Sequence, residues 1–137
     1  MDLIDGVKMM YDLTLERGRI KVNLKAFAIG KDLCVIVSGG DIPHIGTVTL
    51  SIPRPSLSDS NERSATTSVL NLLGHKDDEV ARYVSHTLSS KLNKNVVVTC
   101  GIHVDNITAE EIDIVINILK ELTNILIEKI YSNESNY

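Results

Sequence analysis

The sequence predicts an α+β fold, a mostly antiparallel sheet of five to six strands with two helices packed on one face. Apolar and polar residues alternate through the first half of the chain, as they do in half-buried strands. Two later segments space their apolar residues three and four apart, as amphipathic helices do, and a short apolar run separates them. With 137 residues, 43% of them hydrophobic, the chain predicts a single domain over residues 1–137.

Four strands are expected in the first part of the chain. Apolar and polar residues alternate at 11–15, 20–28 and 47–52, and the run at 33–37 is apolar throughout. Turn sequences containing glycine, RGR and GKD, separate the first three strands. The short connections favour antiparallel pairing in meander order, with each strand beside the next one along the chain.

Residues 54–68 are predicted to form a flexible loop. The stretch IPRPSLSDSNERSATTS contains two prolines, several serines and few apolar residues. Connections of this length are either mobile surface loops or lids over a functional site, and the sequence leaves both alternatives open.

The first helix follows this loop and leads into a fifth strand. Acidic residues at 77–79 suit the first turn of a helix because they complement its dipole. Val80, Val84 and Leu88 then form one apolar stripe, and the run at 96–100 is strand-like.

The last helix begins at a capping box, in which Thr108 precedes Glu111 by three residues. Its apolar residues cover most of the circumference between 112 and 127. A helix of this kind is buried on more than one side, so we expect it to contact both the sheet and a second subunit.

Composition excludes several classes of function. The net charge is −4 and the basic residues are scattered, so no nucleic-acid partner is expected. The N-terminal MDLIDG is acidic, unlike a secretory signal, and charges interrupt the most apolar segment, so no membrane partner is expected either. Cys34 and Cys100 lie in apolar runs and are interpreted as buried thiols of a reducing compartment, which predicts a cytoplasmic protein.

Three short segments each combine glycine, histidine and aspartate at a junction between elements. They are GGDIPHIG at 39–46, GHKDD at 74–78 and GIHVDN at 101–106. Ends of strands and starts of helices can present side chains without disturbing the core. We therefore expect the three segments to converge on a single polar site.

Each of these residues also has a structural interpretation. His44 and His103 are either binding or proton-handling residues or ordinary half-buried histidines, and Asp41, Asp105 and Asn106 suit turns or caps equally well. No metal is expected, because neither HExxH nor CxxC occurs. A separate group of hydroxyls, which includes Ser64, Thr66 and Thr67, offers a possible anion site.

The motifs GGDIPHIGTV, RPSL, SATTSVLNLLGHKDDEVAR and VVVTCGIHVDNIT, in this order, resemble the LpdD-like prenylated-flavin (prFMN) chaperones. The resemblance covers about residues 33–111. That family is encoded beside UbiD-type decarboxylases and is structurally related to proteasome assembly chaperones.

The resemblance implies a non-catalytic homodimer that holds reduced prenylated FMN and delivers it to a UbiD-type decarboxylase. The family motifs fall on a set of candidate cofactor-binding residues. These are Gly39, Gly40, Asp41, Ile42, Pro43, His44, Ile45, Ser64, Thr66, Thr67, His75, Lys76, His103, Asp105 and Asn106. The isoleucines and the proline would cover the flavin ring, the acids and histidines at 41–44 and 103–105 would bind its polar edge, and the hydroxyls with Lys76 would face the phosphate.

Two other functions remain open at this stage. One is a protein-assembly chaperone that acts purely as an interaction module, which leaves the three histidine-containing segments unexplained. The other is a small metal-dependent hydrolase in which Asp41, His44 and His103 bind an ion that activates water.

Overall fold

The computed structural model describes residues 3–4, 7–72 and 77–134. In these ranges the elements are β1 Leu3–Ile4, β2 Val7–Lys8, β3 Met10–Arg17, β4 Ile20–Ile29, β5 Asp32–Gly40, β6 Thr47–Pro55, β7 Arg63–Asn71, α1 Asp78–Leu92, β8 Val96–His103 and α2 Ala109–Glu134. β1 and β2 form a two-stranded ribbon, and the other six strands form one sheet in the order β3-β4-β5-β8-β6-β7. The predicted α+β class is confirmed.

The sheet is mostly antiparallel, as predicted, with one parallel pair at its centre. β5 and β8 run parallel, and the four other neighbouring pairs of this sheet are antiparallel. The predicted meander holds from β3 to β5 but is wrong for β6, which pairs with β8 instead of β5. The two most continuously apolar strands, β5 and β8, take the central positions, where strands flank them on both sides.

Residues 63–68 form a strand where the sequence analysis expected a loop. β7 begins at Arg63 and pairs with β6 along its length, so the hairpin connection is only residues 56–62. β7 carries few apolar residues because one of its faces is open to solvent and the other includes small and hydroxyl-bearing side chains on the side of α1. Thr67 Oγ1 lies 2.6 Å from Ser51 Oγ of β6, and Ser51 in turn donates to Ser85 of α1 at 2.8 Å.

Both helices pack on the same face of the sheet, α2 over β3 and β4 and α1 over β6, β7 and β8. The core beneath them is apolar at β4, where Ile20, Val22 and Leu24 are buried. Beneath α1 it is partly polar, because the buried Ser85 hydroxyl bonds to those of Thr49 and Ser51.

The wide apolar arc of α2 is explained within one chain. Its buried residues include Ile118, Leu122 and Leu126, and they contact the sheet and α1 within a single hydrophobic core. The second apolar side of α2 therefore packs on α1, so the sequence pattern does not require the subunit contact predicted for this helix.

The other face of the sheet has no helix over it among the described residues. Ile36, Leu50, Ile52 and Leu70 project from this face and are exposed. The residues directly before and after each of them along its strand point their side chains into the core, because side chains alternate between the two faces of a sheet. The uncovered apolar surface of this chain thus belongs to the sheet, and we call it the open face.

Two smaller predictions concern the cysteines and the helices. Cys100 is buried and Cys34 is partly buried, and both are free thiols. Neither helix of the described ranges combines the length and the apolar character that crossing a membrane requires.

Candidate functional site

Two of the three glycine–histidine–aspartate segments meet at one end of the sheet. Because β5 and β8 are parallel neighbours, their carboxyl ends lie side by side, with Gly40 opposite His103. The backbone N–H of Asp41 donates to the His103 carbonyl oxygen at 2.7 Å, and that of Gly46 donates to the Cys100 carbonyl oxygen at 2.9 Å. The loop at 41–46 is therefore fastened to the end of β8.

Glycines allow these backbones to approach closely. A Cβ atom on Gly101 would collide with the carbonyl oxygen of His44, and one on Gly40 would collide with that of His103. Gly40 also has a positive φ of 75°, which glycine adopts without strain. Both glycines are required by the contact between the two segments.

The acids and His103 form a connected polar network. The N–H of Asp105 donates to Asp41 Oδ2 at 2.9 Å, and His103 Nε2 lies 2.9 Å from Asp105 Oδ1. Asn106 follows with a positive φ of 52°, which turns the chain toward α2. Of the predicted site residues, Asp41, His103, Asp105 and Asn106 are thus brought together.

The third segment joins this end of the molecule through Asp77. His44 Nδ1–H donates to the Ile42 carbonyl oxygen at 3.0 Å, and His44 Nε2 lies 3.5 Å from Asp77 Oδ2. A Cβ on Gly46 would also meet the Asp77 carboxylate. His75 and Lys76, two of the predicted site residues, lie outside the described residues.

A pocket of approximately 470 Å³ opens beside this network, between the end of β8 and the first turns of the two helices. Its walls are mainly aliphatic and its polar groups are Asp77, Glu79 and His103. The aliphatic residues that line it are Val80, Ile102, Val104, Ile107, Ile112, Val115 and Ile116. We call it the end pocket; its volume lies in the range typical of small-molecule sites.

Arg19 connects the start of α2 to the loop after β8. Its Nε donates to Glu111 Oε2 at 2.6 Å and its Nη2 to Glu111 Oε1 at 2.8 Å, a bidentate pair. Nη2 also donates to the Asp105 carbonyl oxygen at 2.9 Å. The capping box is confirmed as well, since Thr108 and Glu111 exchange hydrogen bonds of 3.1 Å in both directions.

These contacts shift the pKa of Glu111. Hydrogen bonds from the Arg19 side chain and from the Thr108 backbone lower the pKa of Glu111 to about 2. The same pairing raises the pKa of Arg19. The start of α2 is therefore held by an ion pair that persists to low pH.

Other predicted site residues lie elsewhere. Thr66 and Ser64 are on β7 opposite Ile52 and Arg54, and Arg54 Nε donates to Thr66 Oγ1 at 2.7 Å. The pocket end of β7 is Asn71, seven residues beyond Ser64 and about 23 Å along an extended strand. The hydroxyl-bearing side chains of Ser64, Thr66 and Thr67 are thus not brought to the end pocket.

The apolar residues of the 41–46 loop are also placed differently from the expectation. Ile42 and Ile45 are 55% and 61% exposed and are not among the residues that line the end pocket. The apolar walls come instead from β8 and the helix starts. The sequence analysis placed Val80 and the apolar residues of 112–127 on helix packing faces and Arg19 in a turn, and it gave Ile107 no role. Periodicity does not reveal which wall faces a cavity.

Two observations bear on chemistry. Among residues 3–4, 7–72 and 77–134, no group of three or more His, Cys, Asp or Glu side chains is arranged to hold a metal ion. Burial, with a smaller contribution from Asp77, raises the pKa of the Cys100 thiol far above its usual range, so this thiol is protonated at neutral pH.

The fold and the end pocket define a small α+β protein with a ligand-sized cavity at a strand–helix junction. The fold is similar to that of a chain in the crystal structure of a novel chaperone complex for yeast 20S proteasome assembly. That similarity has a TM-score of 0.56 at 16% sequence identity and covers 89% of this chain and 98% of the other, and it establishes the fold.

Sequence comparison identifies the family. The model of the prenylated flavin chaperone LpdD-like domain matches residues 16–131, and the chain belongs to this family. It is also 28% identical over 107 residues to Protein LpdD of Lactiplantibacillus plantarum, a match that covers 75% of this chain and 72% of that protein. The suspected family membership is confirmed, and a chaperone role follows from it.

Proposed function

We propose that this chain is a non-catalytic carrier that binds reduced prenylated FMN in the end pocket and delivers it to a UbiD-type decarboxylase. The observation that carries the proposal is an aliphatic pocket with a few polar groups at one side, in a chain of the LpdD-like family. A flavin has the same division into an apolar ring system and a polar edge.

The aliphatic walls suit the ring system. Ile102, Ile107 and Ile116 approach the cavity from β8, the loop after it and α2. Surrounding a reduced flavin with such side chains excludes water from its reactive face. The role also requires a reducing compartment, which supports a cytoplasmic location.

The polar groups suit the edge of the ring. His103 and Asp77 line the end pocket. Asp105 Oδ1 contacts His103 Nε2, and Asp41 Oδ2 accepts a hydrogen bond from the Asp105 N–H. Carboxylate oxygens and an imidazole nitrogen accept hydrogen bonds from the ring N–H groups. The glycines at 39, 40 and 46 and Pro43 serve this arrangement by shaping the loop, and His44 by its contact with Asp77.

A non-catalytic role is compatible with the protonated, buried thiol of Cys100. A protonated, buried thiol is a poor nucleophile because the thiolate is the reactive form. Cys100 is therefore not a candidate nucleophile, and the proposed role needs only binding and release.

We propose that two copies associate through the open face, as the homodimer prediction requires. The apolar centre of this face, with Ile36 and Leu50, is of the kind that subunit interfaces bury. Its β3–β4 side carries both charge signs, for example Lys25 3.9 Å from Asp12. A rim with both signs suits a two-fold interface, in which each patch meets its own copy.

Anaerobic titration with reduced prenylated FMN tests the cofactor proposal. We expect one cofactor per subunit by absorbance and native mass spectrometry. Replacement His103→Ala should raise the Kd about tenfold or more, because it removes a polar partner of the ring. His86→Ala is the matched control, since His86 lies in the middle of α1 and does not line the end pocket.

Two results would contradict the proposal. The first is that the wild-type chain takes up no reduced prenylated FMN under anaerobic conditions. The second is that His103→Ala and His86→Ala both bind as the wild type does, which would remove the end pocket from the binding site.

A further inference from the structure

Three exposed apolar side chains belong to residues at the same end of the sheet as the end pocket. Ile42, Ile45 and Leu72 are 55%, 61% and 52% exposed. The Leu72 N–H donates to the Gly46 carbonyl oxygen at 2.9 Å, and the Ile42 N–H approaches the His103 carbonyl oxygen at 3.4 Å. These contacts fix the backbones of the 41–46 loop and of Leu72 at this end of the sheet.

The mouth of the end pocket is acidic. Asp77 and Glu79 line the pocket, and Asp41 and Asp105 border it in the network described above. The pocket-lining residues of the described ranges include no lysine or arginine, and Arg19 nearby is engaged by Glu111. The polar side of the described pocket wall is therefore anionic, and it attracts cationic groups of a partner.

We propose that Ile42, Ile45 and Leu72, together with these carboxylates, form the face that docks on the cation-lined entrance of the enzyme accepting the cofactor. This inference rests on the proposed carrier function. An enzyme that retains a flavin phosphate must present lysine or arginine side chains where that phosphate enters. An acidic donor surface with exposed apolar side chains is complementary to such an entrance.

The negative charge at the pocket end also favours docking of the accepting enzyme over docking of a second copy of this chain. Two copies meeting mouth to mouth would bring acidic groups against acidic groups, and like charges facing each other oppose association. The open face, which carries both signs at its β3–β4 side, has no such restriction. Docking of the acceptor and self-association thus use different surfaces.

The test measures transfer from the loaded chain to a UbiD-type decarboxylase of the same genome, purified without cofactor, by the appearance of decarboxylase activity. Leu72→Lys replaces an apolar contact with a charge of the same sign as the entrance. We expect transfer to slow about tenfold, with cofactor affinity unchanged. Leu57→Lys is the matched control, because Leu57 is 92% exposed in the 56–62 connection at the other end of the sheet.

Ionic strength provides a second measurement. Raising salt from about 50 to about 500 mM should slow wild-type transfer, because screening weakens attraction between opposite charges. Transfer that is equally fast in Leu72→Lys and Leu57→Lys, or that accelerates with salt, would overturn the docking face and leave the carrier role intact. Failure of the wild type to take up the cofactor would instead overturn the proposed function, and this face with it.

Discussion

The two ends of the six-stranded sheet are built differently. At the pocket end, the loop at 41–46, the end of β8 and Asp77 before α1 approach one another closely at Gly40, Gly46 and Gly101. At the far end, the turn at Gly30 and the 56–62 connection link neighbouring strands directly. Gly30 has a positive φ of 59° and open space around its Cα.

Glycine therefore serves two purposes in this chain. In the turns at Gly18 and Gly30 it supplies a backbone conformation with open space around it, and at Gly40 and Gly101 it supplies room for another segment of backbone. The glycine–histidine–aspartate segments that contain Gly40 and Gly101 are thus packed parts of the candidate site. A lone turn glycine such as Gly30 is replaceable at a modest cost in stability.

The largest expected effect is that of Gly101→Ala. The new methyl group would collide with the His44 carbonyl oxygen, so the 41–46 loop must leave β8 and give up its hydrogen bonds. We expect a loss of about 3 kcal/mol or more in the free energy of unfolding, measured by urea denaturation. Gly30→Ala is the control and should cost about 1–2 kcal/mol, from the positive φ alone. Equal losses in the two variants would contradict the distinction between the ends.

A smaller effect is expected from Arg19→Gln, and it should depend on pH. The folded-state pKa of Glu111 is lowered from 4.5 to about 2, so its contribution is present above pH 4.5 and is lost as the pH falls toward 2. The variant should lose stability at neutral pH and show a flatter decline of Tm across this window. Thermal unfolding at a series of pH values measures this, and parallel curves for the variant and wild type would refute the role of Arg19.

The smallest effect is expected at the far end, from Glu134→Gln. Glu134 Oε1 lies 2.8 Å from Lys94 Nζ, but the Glu134 side chain is half exposed. Exposed ion pairs of this kind contribute about 0–1 kcal/mol, and Lys94 keeps its bond to the Lys31 carbonyl oxygen. Urea denaturation should therefore place this variant within about 0.5 kcal/mol of the wild type. A loss as large as that of Gly101→Ala would mean that the far end is as tightly coupled as the pocket end.

Particular elements show how far the sequence could be interpreted. β3 and β4 follow the predicted alternation, β5 contains the predicted apolar run, and Thr108 and Glu111 form the predicted capping box. β7 differed from the prediction because its inward residues are small or hydroxylated and match a polar strip of α1. A polar strand facing a polar helix strip carries the same composition as an exposed loop.

The features of the candidate site were likewise predictable from the sequence only in part. The convergence of GGDIPHIG and GIHVDN was predictable in outline, because each follows an apolar strand. The apolar walls at Ile107 and Ile112, the participation of Arg19 and the distant position of Ser64 were not. These depend on which strand ends become neighbours and on where each helix begins.

By itself the sequence determined the local elements, their class and the polar segments at their ends, because periodicity and capping are encoded within a few residues of one another. Only the tertiary structure decided that β8 enters the sheet between β5 and β6, and with it every contact of the end pocket. The physical reason is that pairing between distant strands is selected by total burial over the whole sheet, which no single stretch of sequence contains.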